Sequence, residues 1–82
     1  MDRFLFAKNP LNLHRPAAHV GYVLDTVRAV YYEVKRYPGD VYTVTIASDV
    51  IGNVKEPKAA IRWLKSYLKH EGKSFTKVIF EP

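Results

Sequence analysis

The chain has 82 residues, room for one domain and one core. With 48% hydrophobic and 26% charged residues it has the balance of a folded globular protein, and its lack of cysteine excludes a disulfide framework and any thiolate metal site. Thirteen Lys and Arg against eight Asp and Glu leave a formal net charge of +5, which favours anionic partners without specifying a fold. No apolar run reaches the length of a membrane span, and the first ten residues lack the charged-then-apolar pattern of a leader, so a soluble, cytoplasmic protein is expected.

Residues 3–8 (RFLFAK) alternate Phe4 and Phe6 with Leu5 and Ala7 and predict a short strand, ended by Asn9 and Pro10. Residues 11–15 have no period and read as a connection. Over 16–36, Val20, Val23, Leu24, Val27, Tyr31 and Val34 recur at the i, i+3, i+4, i+7 spacing of an amphipathic helix that opens on Pro16. Gly21 lies inside it; either the helix starts later, near Val20, or the glycine admits another backbone. Lys35 and Arg36 suit a helix C-terminus, and Tyr37-Pro38-Gly39-Asp40 reads as a stop and turn.

Residues 41–47 (VYTVTIA) are β-branched and alternating, the best strand in the chain. Residues 48–56 form a loop around Gly52-Asn53. Pro57 and Gly72 bracket a second helix over 57–71, and residues 75–81 close the chain as a strand centred on Val78, Ile79 and Phe80.

The expected order is therefore β-α-β-α-β. It implies an α+β fold over residues 1–82: a single compact domain with a small three-stranded sheet packed by two helices. One sheet face would carry Phe4, Phe6, Tyr42, Val44, Ile46, Val78 and Phe80. The other, with Leu5, Thr43, Thr45, Phe75, Lys77 and Ile79, is too apolar to be wetted throughout, so a helix, a partner or a second copy is expected on it. A mixed sheet with the first strand antiparallel at an edge is the alternative.

Residues 55–77 hold more than half of all Lys and Arg. On the helix over 57–71, Lys58, Arg62, Lys65 and Lys69 form one stripe opposite Ala60, Ile61, Leu64, Tyr67 and Leu68. Such a stripe suits a nucleic-acid backbone or an acidic partner; the plainer reading is a solvated face. Trp63 and His70 share a flank between the two stripes. On the helix over 16–36, Tyr22, Tyr32 and Arg36 point away from the core. With Trp63 they make the composition of a protein-binding surface, the plainer reading being a helix buried on more sides.

Other chemistry finds little support. His14, His19 and His70 lack zinc-ligand spacing, and no HExxH is present. Ser48 and Asp49 follow a strand but no GxSxG surrounds the serine, residues 48–57 are not a phosphate-binding loop, and only an accident of folding would pair Asp49 with Glu56. No catalytic residue, metal or cofactor is expected. The profile suggests a non-enzymatic module that regulates or inhibits a macromolecular protein partner, plausibly part of nucleic-acid machinery, in the manner of small phage or mobile-element proteins. Direct DNA or RNA binding through the basic helix is the alternative, and a structural homodimer the third.

Overall fold

Alternation, not the helical period, governs the valine- and tyrosine-rich segment after Pro16. The computed structural model describes residues 3–8, 18–47 and 57–81. Its elements are β1 (Phe4–Ala7), β2 (His19–Asp25), β3 (Val30–Tyr37), β4 (Val41–Ile46), α1 (Lys58–His70) and β5 (Lys77–Phe80). They form one five-stranded sheet in the order β1-β2-β3-β4-β5. The first four strands are antiparallel neighbours; β5 lies parallel to β4 and follows α1, as a parallel pair requires a crossover.

The expected three-stranded sheet packed by two helices is thus corrected to a mixed, five-stranded sheet with one helix among the described residues. In place of the helix expected over 16–36, the described residues from His19 to Tyr37 form a β-hairpin. Val23, Asp25, Val30, Tyr32 and Val34 point to one face and are buried; Tyr22, Leu24, Tyr31, Glu33 and Lys35 point to the other. Stiff β-branched and aromatic side chains favour this pleated surface over a helix. His14, Pro16 and the loop with Ser48, Asp49 and Glu56 lie outside the described residues.

One sheet face packs on α1. Phe4, Val23, Val30, Tyr32, Val34, Tyr42, Val44 and Val78 meet Ala60, Leu64 and Leu68 in a single core. Leu64 and Leu68 are wholly buried, each contributing about 1.5–3 kcal/mol of transfer free energy. A ladder of rings fastens the edge strand β1 to the helix: Phe4 tilts on Trp63 at 6.0 Å, Trp63 stacks on Tyr67 at 5.2 Å, and Tyr67 stacks on Phe6 at 4.8 Å. On the helix-free face Leu5, Tyr31, Tyr37 and Ile79 are exposed. There His19 Nδ1 lies 2.7 Å from a Glu33 carboxylate oxygen.

Gly21 is where β1 and β2 press together. A Cβ at this position would lie 2.6 Å from the Ala7 carbonyl oxygen and 2.7 Å from the Phe6 ring. Of the two roles open to this glycine, close approach is the one it fills, beside a register shift between His19 and Gly21.

Asp25 ends β2 as a buried charge, 2% exposed. Arg3 donates to its two carboxylate oxygens at 3.3 and 3.1 Å, and the amides of Val27 and Arg28 donate to one of them. Burial acts to raise the Asp25 pKa, but the hydrogen bonds from Arg3, Arg28 and Val27 together outweigh it and hold the carboxyl below the ordinary value. One side chain thereby joins the start of β1 to the β2–β3 turn, which closes on Ala29 in a left-handed conformation at φ 57°.

Two outcomes follow from these contacts. Gly21→Ala is expected to lose about 1–3 kcal/mol in denaturant titration, because backbone and a ring would both have to move. Asp25→Asn keeps an acceptor for the turn but removes the charge. It is expected to cost about 2–3 kcal/mol at neutral pH, below the range for fully buried pairs because the Arg3 side chain is 36% exposed. The folded-state pKa is depressed, so this stabilisation is complete above the unfolded carboxyl value of about 3.9 and is lost as pH falls through the folded pKa. The stability gap between wild type and variant should close on acidification.

Candidate functional site

The helix between Pro57 and Glu71 contains no acidic residue. Ala60, Leu64 and Leu68 face the sheet, and Lys58, Arg62, Lys65 and Lys69 are exposed on the opposite side, as their spacing predicts. The helix does not carry this basic surface alone. Gly72 adopts φ 72°, its amide donates to the Lys69 carbonyl at 3.0 Å, and the Lys73 amide donates to the Leu68 carbonyl at 2.9 Å. These two bonds cap the last carbonyls and turn the chain back along the helix end.

The returning segment is pinned at its far end. The Thr76 amide donates to the Asp40 carbonyl at 2.8 Å and the Thr76 hydroxyl to the Gly39 carbonyl at 2.7 Å. Lys73 is thereby brought beside Lys65 and Lys69, and these three lysines, with Ser74, Phe75, Thr76 and the start of β5 at Lys77, line a depression of about 580 Å³. Lys77 itself, in register with Val41, belongs to the helix-free face of the sheet. A second depression of about 330 Å³, lined by Arg36, Asp40, Tyr42, Lys73 and Ser74, extends the surface to the β3–β4 turn.

Arg62, Lys65, Lys69, Lys73 and Lys77 form no salt bridge with a carboxylate among the described residues. Arg36 differs: the Asp40 carboxylate accepts from its guanidinium, and that hydrogen bond and charge hold the arginine pKa above its ordinary value. Among the described residues the other five side chains therefore present positive charge that no carboxylate pairs.

The residues expected to bind a protein partner do not assemble. Tyr32 is 1% exposed, in the core, and burial, with the nearby Asp25 charge adding, raises the pKa of its phenol. Tyr22 lies on the helix-free face, half-buried, with its ring edge-on to His19 at 5.1 Å and to Tyr31 at 5.6 Å. Trp63 is half-buried in the ladder with Phe4 and Tyr67. Arg36 is exposed but lies at the margin of the lysine surface, away from the other three. Their grouping depended on a helix that the strands β2 and β3 replace.

Sequence reasoning found the helical cations and missed the lysine that joins them. Lys65, Lys69 and Lys73 recur every four residues, a signal that is plain in the sequence. Gly72 ends the helix before the third of them, so their meeting depends on the reversal and not on helical geometry. Among the described residues, no group of three or more His, Cys, Asp or Glu side chains is placed to hold a metal. Nor, among the described residues, is any helix long and apolar enough to cross a membrane. Comparison with protein-family models, with curated proteins and with solved structures found nothing that matches this chain.

The reversal gives a direct test. Gly72→Ala places a Cβ in the left-handed region and is expected to cost about 1–2 kcal/mol by thermal or denaturant unfolding. No atom lies within 4 Å of the added Cβ, so the loss would come from backbone conformation and not from a clash.

Proposed function

We propose that this protein is a non-enzymatic binding module for polyanions, and that its ligand is nucleic acid, held through the phosphate backbone. The observation that carries the reading is the run of Arg62, Lys65, Lys69 and Lys73. It continues from the helix into the turn that follows, and no carboxylate salt bridge neutralises it among the described residues. A face that is merely solvated needs charge, but not charge of one sign carried past the helix end around a depression. Lysine acts as a point charge toward phosphate, and binding by several lysines releases condensed counterions, so affinity comes without base recognition.

The reading predicts a steep salt dependence. Four phosphate contacts correspond to a slope of log affinity against log salt of about −2.8 on single strands and about −3.6 on duplex DNA. Lys65→Gln with Lys69→Gln should weaken binding in fluorescence anisotropy by tenfold or more at low salt and flatten the slope by about 1.4–1.8. Lys35→Gln, on the helix-free face, should leave the slope where it was. Binding that ignores the double substitution, or that is absent at low salt, removes this reading.

A further inference from the structure

The basic surface has a focus, and its charge exceeds what a backbone phosphate needs. A phosphodiester carries one negative charge, and a protein that tracks a strand spreads its cations along it. Here Lys65, Lys69 and Lys73 gather at one depression of about 580 Å³. Lys65 and Lys69, four residues apart on α1, are neighbours on the helix surface, where like charges repel. Lys73 approaches from the returning chain. A singly charged diester leaves most of that repulsion uncompensated, whereas a ligand carrying three or four negative charges in a small volume offsets it.

The walls suit such a ligand. The amides of Gly72 and Lys73 occupy the carbonyls of Lys69 and Leu68, which quenches the negative end of the helix beside the depression. The bonds from Thr76 to Asp40 and Gly39 fix the far wall to the β3–β4 turn, so the loop is held before anything binds. Ser74 is exposed and adds a hydroxyl donor at the rim. Phe75 is half-buried against the core and anchors the segment between the lysines.

We propose that this depression is a seat for contiguous phosphoryl groups, a di- or triphosphate. The group is supplied either by the 5′ end of a nucleic acid or by a free nucleoside triphosphate. The inference rests on the polyanion reading above and adds to it a site at which the strand end, and not its interior, is held.

One oligonucleotide carrying a 5′-triphosphate, a 5′-monophosphate or a 5′-hydroxyl, labelled at its 3′ end, tests this on the intact chain by anisotropy. The triphosphate form is expected to bind at least tenfold more tightly than the hydroxyl form, with the monophosphate between them. Lys69→Gln with Lys73→Gln should bring the three forms together, and Lys35→Gln should not. Inorganic tripolyphosphate should displace the triphosphate form at concentrations that leave the hydroxyl form bound. ATP binding as tightly as the triphosphorylated strand identifies the free nucleotide as the source, and much weaker ATP binding identifies the strand end. Equal affinity for all three ends overturns the seat and leaves backbone binding standing. Tripolyphosphate binding without any binding of oligonucleotide supports the seat and overturns the backbone reading, and no binding of either removes both. The wild-type comparison needs no variant, so the test does not depend on how the substituted proteins fold.

Discussion

Everything in this structure depends on one face of one helix. A five-stranded sheet has no core of its own; it needs a second layer on at least one side. Ala60, Leu64 and Leu68 supply that layer for residues drawn from all five strands. The same helix is the crossover that lets β5 run parallel to β4. Its apolar stripe is therefore committed to the fold, and its basic stripe must face away from the sheet. The division between core and basic surface is a division between two sides of the same thirteen residues.

Rows of side chains cross the helix-free face, His19, Lys35, Thr43 and Ile79 in one, Tyr22, Glu33 and Thr45 in another. It mixes apolar and charged groups, whereas the buried face beneath α1 is apolar but for Asp25, whose charge Arg3 pairs. The expectation that Leu5, Thr43, Thr45, Lys77 and Ile79 share a face holds in the structure, as does the membership of the helix-covered face. Phe75 alone departs from it, lying ahead of β5 and packing against the core.

Alternation and end signals made β1, β4, α1 and β5 legible, because each has one dominant period and a clear stop. The hairpin β2–β3 was not, for a physical reason. Val20, Val23, Leu24, Val27, Tyr31 and Val34 satisfy the helical spacing, while Val23 and, across the turn, Val30, Tyr32 and Val34 satisfy the alternating one. The turn between the strands contains no glycine or Asn-Gly pair to break the apparent helix. Its reversal is held by Asp25 from outside the loop, and its left-handed position is filled by Ala29. That misreading also set the candidate partner surface, since Tyr22 and Tyr32 share a helical side but lie on opposite faces of a strand pair. The basic site was read in part: the stripe came from spacing, while Lys73 joins it only through Gly72 and the Thr76 bonds.

The parallel pairing of β5 also sets an order of events during folding. The β1–β4 meander is built from neighbours in the chain, with short loops to close at its last two turns. Such local contacts form early and at little entropic cost. β5 cannot pair until the chain has passed over the sheet as α1, and Thr76 cannot reach Asp40 and Gly39 until β5 is in place. Lys73 is fixed beside Lys65 and Lys69 only in that last step. A nascent or partly folded chain therefore carries the same charge without its final arrangement.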